Sequence, residues 1–584
     1  MTDDSRGQCS QSASSSTASP LLSPACVPAV CTIVRTVIDG TLECFAGLDG
    51  WKRAKGKVVG SNLTLTFGDR SCPGAGFGPI VKQGLISADC NLVTMWDKQP
   101  NCPMQGSCTY ERLPRRKPCP VPPPPPAPIP PAPPCPTSAK PVDVAWLSCR
   151  TAEIIEGCKL PILPTSPLNK GINATSAYTP DASHGYGAQW TRDFQYTVSG
   201  AYSIMDEKSV KASVRYTFAG MSPEGCMPDR VQADGRSVMS PGGPGNQGPR
   251  SHAWDNGPFA GLLLASATKA WPEKDFFCTL EPSARKALDF VNRSANGLVY
   301  NDPVHPNCTY GFTDGVAKTG NLFFCSLLYI DASRQLSELS AQYKCGDSTR
   351  YAKEADFMSN SVDAVLKDPA SPLWLAATID NRIPDVWGTA YLVAMNLSTA
   401  ANRQAAMDEM VNNADKYFLG GQVRSMPFPD YWDRCDFTPA GQGDKSGRSC
   451  AGHGTYQNGA FWATPLSYIT SALLATKHSQ FAETLLADAI ANFVSQTESW
   501  HVDPRAQCHH HRTMYFYLFV TIGAAVQKSN GIYEDVNFGP NNPSPRYAHG
   551  VLNYTASATN ALWAAKLLEK HQAGDDVRWG QMLE

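Results

Sequence analysis

The sequence predicts a multidomain protein whose larger part is a mainly α ring of six helical hairpins, an (α/α)6 toroid. A small, disulfide-rich all-β module precedes it. Three observations predict this organisation. Apolar residues recur at helical spacing over most of residues 143–572, long Gly-, Pro- and Asp-rich connections separate these segments, and a proline-rich stretch divides them from a cysteine-dense part. A chain of 584 residues is also too long for one domain of ordinary size.

The composition argues against two classes of partner. The formal net charge is −2 and the isoelectric point is about 6.6, with lysines and arginines scattered along the chain. The one basic cluster, Arg112 with residues 115–117, lies beside prolines, where it keeps a linker soluble. We therefore expect no nucleic-acid partner. No run of about eighteen apolar residues occurs, so we expect no membrane span.

Cysteines and glycosylation motifs favour a secreted protein. Twenty cysteines are many for a reducing compartment, and the stretch from Cys9 to Cys135 is as dense in them as a disulfide-stapled module, whose pairing the sequence leaves open. N-glycosylation motifs agree with this reading. They begin at Asn62, Asn173, Asn292, Asn307, Asn396 and Asn553. Although no signal peptide is visible at the N-terminus, we expect an extracellular or cell-wall location.

The N-terminal part begins with a tail and continues as a β module. Residues 1–25 are rich in Ser, Ala and Pro, which predicts disorder. Short alternating apolar runs, such as residues 58–67 and 92–96, predict an all-β module over residues 26–110. Its two tryptophans either fill the small core or form a face that contacts a polysaccharide or the cell wall.

A proline-rich linker follows over residues 111–142. Residues 122–126 are consecutive prolines, and more prolines follow at short intervals. Such a segment cannot join a sheet or a helix and adopts a stiff polyproline II conformation. The sequence therefore predicts a domain boundary here.

The helical part extends over residues 143–572, and residues 573–584 form a C-terminal tail. Apolar spacing predicts helices over 259–270, 322–339, 351–366, 386–395, 403–418, 456–474, 481–494, 513–526 and 558–568, with others after Asp193 and Glu281. About a dozen helices with alternating short and long connections, and almost no strands, predict six hairpins closed into a ring with the long loops at one mouth. The alternatives are an irregular helical domain or a helical repeat array, for which no sequence period is found.

One stretch of this part, residues 186–196, combines four aromatic rings with Arg192 and Asp193. A flat ring such as that of Trp190 supports a pyranose, and an Arg–Asp pair supplies donors and acceptors for vicinal hydroxyls. A buried ion pair at the start of a core helix accounts for the same residues. Both interpretations stay open on these residues alone.

The long loops repeat this combination of an acid or an amide with an aromatic residue. The clusters are 229–230, 254–259, 310–320, 384–388, 431–433, 453–462 and 531–537. Singly, an aspartate before a helix is more often a cap than a catalyst. Their repetition at one predicted mouth, with few lysines, indicates a neutral polyhydroxy ligand and not a phosphate.

These motifs resemble those of the six-hairpin glycosidases, in particular the clan of trehalase and the processing α-glucosidases. Residues 189–193 resemble the clan's early aromatic–Trp–Asp motif, which binds the sugar, and residues 456–462 resemble its late Gly–x–x–Trp motif. Residues 311–320 lie where the clan carries its general acid, and Tyr533 with Glu534 where it carries its general base. The resemblance implies Asp314 as the acid and Glu534 as the base.

The expected function is that of a glycoside hydrolase acting on an oligosaccharide, a polysaccharide or a glycan, as an exo-acting and inverting α-glycosidase. Asp314 protonates the glycosidic oxygen, and Glu534 activates a water on the opposite face of the sugar. The expected substrate-binding residues are Trp190, Arg192, Asp193, Asp255, Asn256, Lys318, Trp387, Tyr456, Gln457, Asn458 and Trp462. We expect no cofactor. We also expect no metal, because the adjacent histidines 509–511 point in different directions and lack a second ligand pair.

Two other classes of function remain as alternatives. One is a non-enzymatic wall or matrix glycoprotein in which the linker and the cysteine-rich module dominate and the helical part only binds polysaccharide. The other is a polysaccharide lyase on the same toroid, which the scarcity of basic residues in the loops disfavours.

Overall fold

The computed structural model describes a large part of the chain. The described residues are 41–44, 54–59, 62–67, 80–86, 92–97, 108–111, 135, 140–182, 186–240, 252–434, 457–497, 533–537, 547–576 and 579–580. Segments before residue 112, and 495–497, 533–537 and 547–552, are described by their backbone alone. The chain divides into two compact units between Pro133 and Pro134. The predicted disordered tail 1–25 and most of the linker 111–142 lie outside the described residues.

The first unit contains a six-stranded antiparallel sheet whose strands follow one another in sequence order. They are β1 (Thr41–Cys44), β2 (Ala54–Val59), β3 (Asn62–Phe67), β4 (Ile80–Ile86), β5 (Leu92–Asp97) and β6 (Cys108–Glu111). Residues 60–61 connect β2 to β3, whose register pairs Val59 with Asn62. This hairpin lies where alternating apolar residues predict one, whereas most cysteines of the predicted module lie outside the described residues.

The second unit is mainly helical. Its helices are α1 (Val144–Gly157), α2 (Thr191–Ala201), α3 (Glu207–Ala219), α4 (Asn256–Ala270), α5 (Lys274–Phe290), α6 (Phe323–Tyr343), α7 (Ser348–Leu366), α8 (Val386–Ala394), α9 (Ala400–Asn412), α10 (Leu466–Ala475), α11 (Ser479–Thr497) and α12 (Thr555–Gln572). The even-numbered helices contact one another in succession, and α12 contacts α2, which closes an inner ring of six. The odd-numbered helices pack outside it. This ring confirms the predicted mainly α fold.

The inner and outer helices differ in how much of their surface is buried. Every residue of α2 and α8 is buried, as are nearly all residues of α4. In contrast, α7 and α9 bury one stripe of residues and expose the rest. A helix that is apolar on all sides needs neighbours on all sides, and an amphipathic helix covers such a core from outside.

The expectation of almost no strands in the second unit is wrong. It contains β7 (Lys159–Pro161), β8 (Ser176–Tyr178), β9 (Ala188–Trp190), β10 (Arg230–Gln232), β11 (Ser237–Val238), β12 (Tyr300–Asn301), β13 (Gly320–Asn321), β14 (Phe418–Leu419), β15 (Gln422–Arg424), β16 (Phe461–Trp462), β17 (Tyr533–Asn537) and β18 (Tyr547–Leu552). The last five form one sheet. Most of these strands are two or three residues long, too short to show an alternating pattern.

The helix predicted over residues 456–474 begins only at Leu466, because Pro465 opens it and residues 461–462 form β16. The helix predicted over residues 513–526 lies outside the described residues, as do histidines 509–511. Within the described part of the chain, none of the helices has the length and apolar character that crossing a membrane requires.

Two disulfides join pairs of described cysteines in the second unit. Cys278 of α5 is bonded to Cys345, which follows α6, and Cys135 is bonded to Cys149 of α1.

The C-terminal tail also packs on the ring: the Trp579 ring stacks on Trp563 of α12 with centroids 4.8 Å apart. Trp579 Nε1 donates to Asp331 Oδ2 at 2.9 Å, in the middle of α6.

The closure of the ring predicts a specific sensitivity at Gly200. This residue lies where α2 meets α12, and a Cβ there would come within 2.7 Å of the Thr559 carbonyl carbon. We expect Gly200→Ala to lower the free energy of unfolding by about 1–3 kcal/mol, because two inner helices must move apart. Urea unfolding followed by circular dichroism measures the change.

Gly261→Ala is the matched control. A Cβ at this position would lie 3.2 Å from Ala332 Cβ, between α4 and α6, so these helices need to move apart by only a few tenths of an ångström. We expect its free energy of unfolding to stay within about 1 kcal/mol of the wild-type value, since alanine favours the helix. Equal losses in both variants would contradict a close backbone contact at the ring closure.

Candidate active site

Aromatic residues from several segments of the second unit converge on one side chain, Phe312. Its ring centroid lies 6.0 Å from that of Tyr196 in α2 and 6.4 Å from that of Trp387 in α8. It lies 5.9 Å from Trp462 of β16 and 6.4 Å from Tyr554, the residue before α12. Only 4 % of Phe312 is exposed. Because one side chain touches rings from across the ring of helices, the long loops meet at this end.

A buried guanidinium lies beside this aromatic group. Arg192, in the first turn of α2, donates from Nε to Asp255 Oδ2 at 3.1 Å and from Nη2 to Asp229 Oδ1. Arg230 Nη1 donates to the other oxygen of Asp229 at 3.1 Å. Both arginines and both aspartates are buried. Charges removed from water in this way need several partners each, and these side chains supply them to one another.

Asp193 shares this charged environment and receives a hydrogen bond from the Tyr554 hydroxyl. Burial raises the pKa of Asp193 to about 6, although the neighbouring Arg192 charge and the Tyr554 bond act in the opposite direction. A carboxyl group with such a pKa exchanges its proton near neutral pH, which is the property that acid–base chemistry requires.

Trp190, at the end of β9, is half-buried beside the same cluster. The Arg230 guanidinium lies over its ring at 4.5 Å from the centroid, and the Tyr186 ring meets it edge-on at 5.4 Å. One face of the indole is therefore covered by a cation. Trp190 Nε1 is buried without a hydrogen-bond partner among the described residues.

Asp314 follows a short 3-10 turn, Gly311–Thr313, and is half-buried. Its Oδ1 accepts from the side-chain amide of Gln457, whose Oε1 accepts from the backbone N–H of Gly315 at 2.7 Å. Gln457 thus holds both the carboxyl group and the backbone after it. Its neighbour Asn458 accepts from the backbone N–H of Trp432 at 2.8 Å.

Lys318 is buried behind this turn. Its ammonium lies 4.3 Å from the centroid of the Trp432 ring and 3.4 Å from Thr313 Oγ1. Burial lowers the pKa of Lys318, whereas the charge of Asp385 acts against this change. Burial also raises the pKa of Asp385, which caps α8 by accepting from the Gly388 N–H at 2.8 Å.

Glu534 lies in β17, which joins β16 in the five-stranded sheet. The residue after it, Asp535, pairs with Trp462, and the register of β17 against β18 is irregular between Tyr533 and Asp535. Since Trp462 contacts Phe312, the backbone of β17 runs past the same end of the ring as the turn before Asp314.

The structure therefore brings most of the predicted site residues together, in different environments. Asp255, Asn256, Trp387, Asn458 and Trp462 have at most 2 % of their surface exposed and pack behind the surface residues. The side-chain amide of Asn256 donates to the carbonyls of Met227 and Met239. Tyr456 lies outside the described residues.

Sequence reasoning missed two residues of this site. The role of Tyr554 as a donor to Asp193 depends on a pairing across the whole chain, which no local pattern contains. Gly311 lies against the Arg192 guanidinium, which would overlap a Cβ at that position. The only local signal for Gly311 was its place before an aspartate in a long loop.

The raised pKa of Asp193 predicts a pH dependence of stability. Because the folded chain binds this proton with a pKa of about 6, above the ordinary value of 3.8, the folded state takes up the proton first as the pH falls. The contribution of Asp193 to stability therefore decreases as the pH rises from about 4 to about 6. We expect Asp193→Asn to remove this part of the slope in urea midpoints measured against pH.

Asp206 provides a control of opposite sign. Its carboxylate caps α3, and the Ser209 N–H bond lowers the pKa of Asp206 below its ordinary value. Its contribution to stability is lost as the pH falls, so Asp206→Asn should not remove the decrease between about pH 4 and 6. If the Asp193→Asn profile matches that of the wild type, the buried carboxyl does not titrate there.

Searches by sequence find no matching protein family and no similar curated protein. Among solved structures, a rhamnosidase from Klebsiella oxytoca is similar at 14 % identity and a TM-score of 0.42, over 72 % of this chain and 67 % of its own. A mannosylglycerate hydrolase from Thermus thermophilus is similar at 13 % identity and a TM-score of 0.45, over 71 % and 99 % of the two chains. An α-mannanase from Bacteroides thetaiotaomicron is similar at 11 % identity and a TM-score of 0.41, over 74 % and 98 %. By the contacts of its own helices, the second unit is an (α/α)6 toroid.

Proposed function

We propose that the chain is a glycoside hydrolase that acts on an oligosaccharide, a polysaccharide or a glycan. The observation that supports this most is the convergence of three features at the N-terminal end of the inner ring. These are the Asp314 carboxyl held by Gln457, the strand that contains Glu534, and the Arg192–Asp193 pair beside an aromatic group. Carboxylates and aromatic rings together suit a neutral sugar.

In the proposed mechanism Asp314 is the general acid and Glu534 the general base. Asp314 donates a proton to the glycosidic oxygen as the bond to the anomeric carbon breaks, and Glu534 accepts a proton from the attacking water. Attack on the face opposite to the leaving group inverts the anomeric configuration. The enzyme is therefore proposed to be an inverting, exo-acting α-glycosidase.

Asp193 and Trp190 are proposed to hold the sugar that is cleaved. Trp190 is half-buried, and the buried carboxyl of Asp193 lies beside Arg192 and accepts from Tyr554. Arg192 then acts by fixing these two neighbours, since its Nη2 and Nε are held by Asp229 and Asp255. Phe312 and the rings around it supply a wall that excludes water.

We further infer that the protein is secreted and reaches a polysaccharide or the cell wall through its N-terminal unit. Disulfides such as Cys278–Cys345 form in oxidising compartments. Asn173 and Asn396, which begin two glycosylation motifs, are exposed and have positive φ angles of 58° and 57°, so a glycan can be attached to either.

The acid assignment predicts a large loss of turnover in Asp314→Asn. A positioned general acid contributes roughly 10²–10⁴-fold, and asparagine cannot donate the proton that the leaving group needs, so kcat should fall by at least this factor. The measurement is the release of monosaccharide from a panel of α-linked oligosaccharides.

Asp356→Asn is the matched control, because it makes the same change on the exposed side of the outer helix α7. Its turnover should equal that of the wild type. Turnover near the wild-type value in Asp314→Asn would show that another carboxyl is the acid, with Asp193 first and Asp385 second.

The two-carboxylate mechanism also predicts the stereochemistry of the product. A separation of about 6.5–9.5 Å between the carboxyl groups leaves room for a water, so an α-linked substrate should release the β-anomer first. Proton NMR during the first minutes of hydrolysis distinguishes the anomers before mutarotation. Initial release of the α-anomer would rule out direct attack by water.

A further inference from the structure

One buried oxygen atom, Oδ2 of Asp255, links the turn before Asp314 to the helical ring. Asp255 Oδ2 accepts from the backbone N–H of Gly311 at 2.8 Å and from Arg192 Nε at 3.1 Å. Asp255 immediately precedes α4, Gly311 begins the 3-10 turn, and Arg192 lies in the first turn of α2. A single carboxylate thus joins three segments that are distant in sequence.

The fit between the turn and the guanidinium leaves little freedom at this point. A Cβ on Gly311 would overlap the Arg192 guanidinium, so the backbone of the turn lies directly against that group. Arg192 cannot withdraw without breaking its bond to Asp229. Gly311 therefore fits between two groups: its N–H is bonded to Asp255, and its Cα lies against the Arg192 guanidinium.

The other end of the turn is held separately. The Gly315 N–H donates to Gln457 Oε1 at 2.7 Å, and the Phe312 ring is fixed among aromatic neighbours. Asp255 holds the N-terminal end of the turn by accepting from Gly311, which lies three residues before Asp314. Loss of that attachment removes the hydrogen bond at the start of the turn, so the backbone there can shift and with it the carboxyl of Asp314.

Asp255 has none of its surface exposed, so it acts through Gly311 and not on a ligand. We propose that Asp255 is a positioning residue that sets the location of the Asp314 carboxyl by holding the backbone N–H of Gly311 against Arg192. This proposal rests on the proposed function, in which Asp314 is the general acid. It gives Asp255 a role other than the substrate contact that its sequence motif suggests.

Two substitutions distinguish the effect of the hydrogen bonds that Asp255 accepts from the effect of its negative charge. Asp255→Ala removes the acceptor for Gly311 and for Arg192. Asp255→Asn keeps one oxygen in the same place and removes only the negative charge, so it should recover part of the loss. Glu281→Gln is the matched control, because Glu281 of α5 is also a buried carboxylate, 2 % exposed, that accepts a hydrogen bond from Tyr351 at 2.9 Å.

The first measurement is amide hydrogen exchange of the full chain, followed in a peptide that contains residues 311–316. We expect exchange at the start of this peptide to rise about fivefold or more in Asp255→Ala, less in Asp255→Asn, and not at all in Glu281→Gln. If Asp255→Ala does not fold, Asp255→Asn against Glu281→Gln decides the question. Exchange equal to the wild type in every Asp255 variant that folds would overturn the proposal.

The second measurement compares leaving groups, with methyl and 2,4-dinitrophenyl α-glycosides of the common hexoses as probes. Misplacing a catalytic group by about 1 Å can cost roughly 10²-fold, so kcat for the methyl glycosides should fall by about that factor in Asp255→Ala with little change in KM. The dinitrophenyl glycosides leave without protonation and should lose much less. A purely structural defect would lower both alike, which would count against positioning.

The two proposals fail in different ways. A wild-type chain that hydrolyses none of the glycosides contradicts the proposed hydrolase activity, and the exchange measurement then still decides whether Asp255 holds the turn. A wild-type chain that is active, with Asp255→Ala losing equal activity on both leaving groups, keeps the hydrolase and overturns the positioning role.

Discussion

The pairing of one buried guanidinium, that of Arg192, is the interaction on which the rest of the site depends. Its Nη2 and Nε donate to Asp229 and Asp255, and through Asp255 it reaches the backbone of the loop before α6. Because an unpaired charge in this environment would cost several kcal/mol, α2 and the two segments that supply these aspartates cannot separate independently. The charge cluster therefore acts as a joint between the first three inner helices, and it lies at the end of the ring where the loops meet.

The aromatic side chains around Phe312 pack beside the charged cluster that contains Arg192. Rings from α2, α8, β16 and the start of α12 surround this one side chain, so among the described residues aromatic side chains fill the space around Phe312. A low-dielectric wall of this kind strengthens the electrostatic interactions beside it. It also explains why Asp193, next to Arg192, holds its proton more tightly than an aspartate in water. The close packing that buries these side chains thus also raises the pKa of Asp193.

The sequence predicts the positions of the long helices but not which side chains of the site contact one another. The long helices α4, α6, α7 and α12 follow the predicted apolar periods closely, since each contains several turns of repeated pattern. The start of α10 was misplaced because Pro465 and the short strand β16 interrupt an otherwise apolar run. The grouping of Arg192 with Asp255 could not be predicted, because 63 residues separate them and no local pattern records that pairing.

The sequence alone determined where the long helices α4, α6, α7 and α12 lie, since each repeats an apolar spacing over several turns. It also determined which loops carry acids, amides and aromatic rings. Only the tertiary structure decided what those side chains do. Asp255, expected to bind sugar, is enclosed between Arg192 and Gly311, whereas Trp190 is half-buried and the buried Asp193 accepts from Tyr554. The reason is physical: a carboxylate contacts either a ligand or a guanidinium according to the position of residues far away in the chain, and the closure of the ring sets those positions.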